Sequence, residues 1–223
     1  MAQLAELEQR LGHRFANPSL LAQALTHPSW GSPHNERLEF LGDGVLGCVI
    51  TEELLQRFPR LDEGELSRLR AALVRRATLA QLARDLGLGA HLRLGEGEAA
   101  DGGAERASNL ADALEAVFGA VFLDAGYAAA RAAVLHLYGD SMEALVHTPP
   151  PKDAKTRLQE YLQSRRQPLP EYRVLSTRGA AHRRTFEVEC RIAPLGLRAV
   201  GTGSSRRAAE QHAAAALLKQ VGQ

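Results

Sequence analysis

The sequence predicts a multidomain α and α+β protein, with an all-helical first domain followed by a smaller α-β-β-β-α module. Three observations carry this. Apolar residues recur at helical spacing as far as about residue 145, and no convincing strand pattern precedes residue 150. Three consecutive prolines, Pro149 to Pro151, then interrupt the chain within HTPPPKD. Such a run favours an extended polyproline II spacer. Beyond it the period changes. Phe186, Val188, Cys190 and Ile192 alternate with Glu187, Glu189 and Arg191, the pattern of a half-buried strand. The domain boundaries that follow are residues 1–146, a linker over 147–152, and residues 153–223.

The elements follow in order. Leu4, Leu7 and Leu11 mark a first helix, and Leu20, Leu21 and Ala24 a second. A longer helix is expected from Leu38 to Arg57, and another from Leu66 to Leu86 with Gly87 as its stop. The Gly- and Glu-rich stretch between Leu92 and Ala107 reads as a loop. A helix over about Ser108 to Asp124 carries Leu110, Leu114, Val117 and Val121 on one side, and a last one runs from about Ala128 to Leu145. In the second module Thr156 to Gln163 reads as a helix and PEYRVLSTRG as a strand ending in a Gly turn. The strand at Phe186 to Ile192 and a third at Leu197 to Val200 complete a sheet. Ser204 or Ser205 then caps an Ala-rich helix over Arg206 to Val221.

Composition narrows the function classes. Hydrophobic residues make up 45% of the 223, enough for ordinary globular cores. No apolar run approaches membrane-spanning length, and the acidic, amphipathic N-terminus is unlike a secretory signal. Cys48 and Cys190 lack metal-ligand spacing and read as small buried apolar side chains in a reducing compartment. The expectation is a soluble cytoplasmic protein with no membrane partner. The net charge of +1 conceals an asymmetry. Residues 1–151 hold 20 Asp and Glu against 13 Lys and Arg, a net of −7, whereas residues 152–223 hold 6 against 14, a net of +8. A basic module fits a polyanion. An acidic module accepts the same polyanion only if its carboxylates are neutralised, for example by metal ions.

The acids are arranged. In HNERLEFLGD, Glu36, Glu39 and Asp43 lie at i, i+3 and i+7, within about one third of a helix circumference. In NLADALEAVFGAVFLD, Asp112 and Glu115 lie at i and i+3 among Leu114, Val117, Phe118 and Val121. Buried carboxylates are costly unless paired or metal-bound. Two helices that each present close carboxylates suit hard divalent cations such as Mg²⁺ or Mn²⁺, because the ligands are oxygens. A two-metal arrangement activates water for in-line attack on phosphodiesters. Solvated acids, or pairs with Arg37 and Arg106, are the alternative that spacing alone leaves open. No Walker-type loop and no nucleophilic Ser or Cys motif is present.

HNERLEFLGDGVLG resembles the signature of bacterial ribonuclease III. ALTHPSW, FPRLDEGELSRLRAALV, LADALEAVFGAVFLD, DAKTRLQEYLQ and GTGSSRRAAEQHAAAALL fall in the order of that family's segments, so the resemblance covers nearly the whole chain. It implies an all-helical endonuclease domain followed by a double-stranded-RNA-binding domain. By resemblance, Glu39, Asp43, Asp112 and Glu115 match the metal-binding catalytic carboxylates, with Asp43 and Glu115 foremost. Glu36 and Glu63 match further acids of the cleft, whereas Asp62 and Glu65 read as solvated neighbours. Phe40 reads as a core residue by pattern. In the family, the matching residue plugs a cavity in the partner subunit of a homodimer. The implied activity is hydrolysis of double-stranded RNA by a metal-activated water. The implied products carry 5′-phosphates, 3′-hydroxyls and short 3′ overhangs, as in processing of ribosomal RNA precursors and other structured RNAs. The implied cofactor is Mg²⁺, with Mn²⁺ as a substitute. Gly44, Ala107 and Asn109 depart from the family, which often has Ser, Glu and an apolar residue there. Asn109 precedes Asp112 by three residues and reads as a capping residue or as a partner of the acids.

A-form RNA is contacted through its wide minor groove, 2′-hydroxyls and phosphates. Gln159 and Glu160 on the first helix of the basic module match one such contact region, and His182 in the turn RGAAHRR a second. Ser204, Ser205, Arg206 and Arg207 match a third, at a helix N-terminus that favours phosphate. A competing reading is a catalytically weak double-stranded-RNA-binding regulator. The full set of four acids argues against it, since a pure binder has no use for buried carboxylates. A DNA reader is disfavoured because the last helix is Ala-rich where base-contacting polar residues would be needed.

Overall fold

The computed structural model describes residues 2–147, 153–179 and 184–222. It forms two compact units, Met1–Pro150 and Pro151–Gln223. The expected linker lies, from residue 148 to 152, outside the described residues.

The first unit is helical: α1 (Ala2–Leu11), α2 (Pro18–Ala24), α3 (Glu36–Arg57), α4 (Glu63–Leu73), α5 (Arg76–Leu86), α6 (Glu96–Ala100) and α7 (Ala107–His147). The expected helix over Leu66 to Leu86 is two helices. Val74 caps α4, and Arg75 is extended at φ −67° and ψ 147° before α5. The Thr78 hydroxyl donates to the Ala72 carbonyl at 2.8 Å and holds the corner. Leu69, Leu73, Leu79, Leu82 and Leu86 are all buried, so apolar periodicity runs unbroken across a broken backbone. Asp62 and Glu65, expected to be solvated, form a capping box on α4. The Asp62 carboxylate accepts from the Glu65 N–H at 2.7 Å, and Glu65 accepts from the Asp62 N–H at 3.1 Å.

The expected loop over 92–107 contains α6 and a 3₁₀ turn at Gly103–Glu105. Asn109 is buried and anchors it, donating to Glu98 Oε1 at 2.7 Å and to the Gly103 carbonyl at 3.0 Å. The expected break between Asp124 and Ala128 falls at Gly126, where α7 turns at φ 78° and ψ −174°. Just before it, Asp124 accepts from the N–H groups of Ala16 and Asn17 at 2.9 and 2.8 Å and bonds His13 Nε2 at 2.9 Å. By length and composition Ala107–Gly139 could cross a membrane, although no apolar run of that length was expected. Half of its most apolar window is buried inside the unit, where Leu110, Leu114, Val117, Phe118 and Val121 join the core.

α3 and α7 cross at two glycines. A Cβ on Gly42 would lie 1.7 Å from the Glu115 carbonyl oxygen, and one on Gly119 would lie 2.2 Å from that of Leu38. The two backbones therefore touch with no side chain between them.

The second unit runs α8 (Ala154–Ser164), β1 (Glu171–Arg178), β2 (Thr185–Ile192), β3 (Leu197–Gly203) and α9 (Arg206–Gln220). Its antiparallel sheet has the order β1-β2-β3, with a register shift between Val174 and Ser176. Leu158 and Leu162 from α8, Cys190 and Ile192 from β2, and Ala213, Ala214 and Leu217 from α9 form its core. β3 lies so close to α9 that a Cβ on Gly201 would sit 2.2 Å from the Ala213 nitrogen, which explains why α9 is rich in alanine. Cys190 is buried as expected, whereas Cys48 is exposed and lies 3.8 Å from the Tyr127 hydroxyl. Apolar side chains on α3 point into the core from other faces, so Cys48 is left outside.

Substituting Gly119→Ala is expected to destabilise the first unit by about 1–3 kcal/mol, because the crossing has no room for a methyl group. Urea unfolding followed by the fluorescence of Trp30, the single tryptophan, reads this unit alone. Wild-type stability in that variant would contradict the close crossing.

Candidate metal centre and nucleic-acid interface

The start of α3 is fixed by Asn35. This buried residue donates its N–H to the Thr26 carbonyl at 2.9 Å, and its own carbonyl accepts from the N–H groups of Leu38 and Glu39 at 2.9 and 2.8 Å. Glu39 sits one turn in. The crossing at Gly42 then sets it against α7. Carboxylate oxygens of Glu39, Asp112 and Glu115 all lie within 4.8 Å of one another, each half-buried. The two helices thus bring together three of the four expected catalytic acids. Asp43, one turn further along α3, is exposed and lies outside that group.

Electrostatics show what the arrangement lacks. Burial, then the charges of Asp43, Glu39 and Asp112, push Glu115 up from 4.5 to about 7. Burial, followed by Asp112, Glu36 and Asp43, raises Glu39. Burial raises Asp112. The Arg76 guanidinium opposes all three shifts, and His27 opposes that of Asp112. Neither cation was expected from sequence, since each comes from an element outside the acidic motifs. Every ligand of the group is a carboxylate oxygen, which fits a hard divalent cation. Repulsion among these acids is what such a cation relieves.

Other expected residues sit apart. Glu36 is exposed at the start of α3, 3.7 Å from His34. Glu63 accepts from the Ser67 hydroxyl at 2.7 Å and lines a groove between α3 and α4. Phe40 is 84% exposed, not a core residue, because Leu38 and Gly42 take the buried face of α3. Asn109 bonds Glu98, which is not one of the clustered acids.

In the second unit Gln159, Arg206 and Arg207 line one polar cleft of about 640 Å³ with Lys155, Glu210 and Gln211. Gln159 and Glu160 are exposed on α8, and Ser204 is exposed before α9. Ser205 is the cap, accepting from the Ala208 N–H at 3.1 Å. His182 lies outside the described residues. Lys155 and Glu210 escaped the sequence reading, because only the fold brings α8 beside α9.

Fold and site define a two-domain class. The Ribonuclease-III-like family model matches residues 17–142, and the double-stranded RNA binding motif matches residues 154–221. The chain is 56% identical to "Ribonuclease 3" of Dechloromonas aromatica over 213 residues, covering 96% of each chain. It is 55% identical to that of Bordetella pertussis over 219 residues, 97% of this chain and 84% of that one. A solved nuclease domain of ribonuclease III from Campylobacter jejuni is 42% identical, with a TM-score of 0.60 over 68% of this chain and 100% of that one. A second structure of that domain, described for flexibility in its dimer-forming region, is 45% identical, with a TM-score of 0.59 over 60% of this chain and 95% of that one. The chain belongs to the ribonuclease III family.

A raised carboxyl pKa has a signed consequence. Between 4.5 and about 7 the folded state holds the Glu115 proton more tightly than the unfolded chain does. This stabilisation is full below 4.5 and lost as pH rises through about 7. In EDTA, Glu115→Gln should therefore raise the melting midpoint of the first unit at pH 8 but little at pH 5, by about 2–4 °C for each kcal/mol removed. Thermal melts followed by Trp30 fluorescence check it. An equal shift at both pH values would contradict the charge repulsion.

Proposed function

We propose that this chain hydrolyses phosphodiester bonds of double-stranded RNA with Glu39, Asp43, Asp112 and Glu115 as its catalytic and metal-binding residues. The observation that carries the reading is the convergence of Glu39, Asp112 and Glu115 within 4.8 Å at a helix crossing, in a chain of this family. These three, with Asp43 beside them, would hold Mg²⁺, for which Mn²⁺ would substitute. A cation held there supplies a water that attacks at neutral pH. The protein's own part is to hold the carboxylates together and to orient the RNA backbone before them. The products are 5′-phosphate and 3′-hydroxyl ends with short 3′ overhangs, and the substrates are ribosomal RNA precursors and other structured RNAs. A cytoplasmic location belongs to the same proposal and is supported by the two free thiols.

The working form is a homodimer. Phe40, Gly44, Cys48 and Leu55 are exposed along one face of α3, with Arg37 at its N-terminal end. Beside them lies a largely apolar groove of about 280 Å³, lined by Thr51, Leu54, Leu55, Leu66, Ser67 and Arg70 as well as Glu63. An exposed Phe near one end of α3 and an open apolar groove toward the other support mutual insertion, the self-complementary contact of a two-fold dimer. Phe40→Ala should shift sedimentation toward monomer at concentrations where the wild type is dimeric. An unchanged sedimentation profile would remove Phe40 from the interface.

The activity is tested on a long perfect RNA duplex in Mg²⁺ and in EDTA. Wild type should cut to short duplexes only with metal. Glu115→Gln should bind the duplex and leave it whole. Removing residues 152–223 should weaken binding at physiological salt yet leave some cleavage at low salt. Tight binding by wild type without cleavage in Mg²⁺ or Mn²⁺ would favour a regulatory binding protein instead.

A further inference from the structure

We infer that Glu210 is a positioning residue for RNA: it holds Lys155 and Arg206 in register and so sets the first turn of α8 against the first turn of α9. The inference rests on the second unit binding double-stranded RNA. Glu210 is only 8% exposed. Its Oε2 lies 2.5 Å from Lys155 Nζ on α8, and its Oε1 lies 2.9 Å from Arg206 Nε on its own helix. Two further contacts brace the same junction. Gln211 Oε1 accepts the Lys155 backbone N–H at 3.1 Å, and Lys155 Nζ stands 4.4 Å from the Tyr172 ring centroid on β1. Arg206 is bound through Nε, so its two Nη groups are not used by Glu210, and its side chain is 65% exposed.

The placement runs against simple charge complementarity. A carboxylate on the wall of a cleft that also holds Gln159, Arg206 and Arg207 offsets the positive charge that attracts a polyanion. Long-range attraction alone would favour an uncharged residue at 210. Geometry favours the carboxylate. Lys and Arg lose much rotamer freedom when they are fixed on a ligand. A buried acceptor that fixes them beforehand lowers that loss at binding. Because RNA phosphates and minor-groove edges have fixed spacing, the distance between α8 and the N-terminus of α9 must match it. Glu210 joins those two elements directly.

The two views differ in sign, which makes the test direct. Binding of the full chain to an RNA duplex is measured in EDTA across a range of KCl for wild type, Glu210→Ala, Glu210→Gln and Glu171→Gln. Glu171→Gln removes an equal charge at an exposed position at the start of β1. Positioning predicts about tenfold weaker binding for Glu210→Ala and a smaller loss for Glu210→Gln. It also predicts a salt slope shallower by about one phosphate contact. With Mg²⁺, KM should rise while kcat holds. In a Lys155→Ala background the effect of Glu210→Ala should shrink. Equal or tighter binding by Glu210→Ala, matching Glu171→Gln, would overturn the inference. So would weaker binding with an unchanged salt slope, the mark of a merely structural residue. Should Glu210→Ala melt early, the milder Glu210→Gln carries the same comparison. Failure of wild type to bind the duplex would instead sink the RNA-binding reading itself.

Discussion

The contact of two helix backbones at Gly42 and Gly119 governs the first unit. Helices that meet through side chains run 8–10 Å apart. Here a single methyl group on either glycine would collide with a carbonyl of the other helix. Glu39 precedes Gly42 by three residues and Glu115 precedes Gly119 by four, so the crossing dictates that their side chains share one space. The carboxylates oppose this approach, since burial raises all three and the neighbouring acids raise Glu39 and Glu115 further. Leu38, Val45 and Leu46 on α3, with Leu114, Val117 and Phe118 on α7, are buried on the flanks and favour it. Apolar packing therefore holds closed a site that its own charges would open. This is the inverse of an ion pair: the core supplies the stability, and the site consumes part of it.

Much of this was legible in the sequence because the relevant spacings are local. The acids at i and i+3 needed only a helix to become one face, and the alternation around Val188 needed only a strand. The order α8-β1-β2-β3-α9 came out as the periodicities indicated. What escaped was non-local or was masked by a pattern that continued. The corner at Val74 and Arg75 left no trace because the buried leucines keep step on both sides of it. Cys48 looked like core by residue type, yet it occupies the one face of α3 that the core does not use. Gly42 and Gly119 stood inside both motifs, but only their pairing across 77 residues of sequence gives them meaning. Arg76 reaches the acids from α5 and could not be assigned to them from any spacing.

The same limit applies to the basic unit. Its excess of Lys and Arg pointed to a polyanion, and GTGSSRR marked a helix N-terminus suited to phosphate. Which cations are held and which are loose depends on Glu210, a residue that composition counts only as a charge of the wrong sign. Ser205, by contrast, was readable in advance as one of two candidate caps, because capping is a contact between neighbours in sequence.

Partially buried carboxylates in this chain are told apart by the cations around them. Glu53 meets Arg57 at 2.7 Å and Arg131 at 2.8 Å, and is a structural ion-pair hub. Glu98 meets Arg106 at 2.5 Å and Asn109 at 2.7 Å, and its pKa is lowered. Glu210 meets Lys155 and Arg206, and its pKa is lowered as well. In each case the protein supplies the compensating charge. Glu39, Asp112 and Glu115 are different: they form the only such three-acid group among the described residues, and Arg76 with His27 does not offset them, since all three are raised. A fold that satisfies its other buried acids leaves this group short of positive charge. The shortfall is specific, because the donors are all oxygens and the opening is set by two fixed backbones. It is a physical reason, independent of any resemblance, for placing a divalent cation here and nowhere else among these acids.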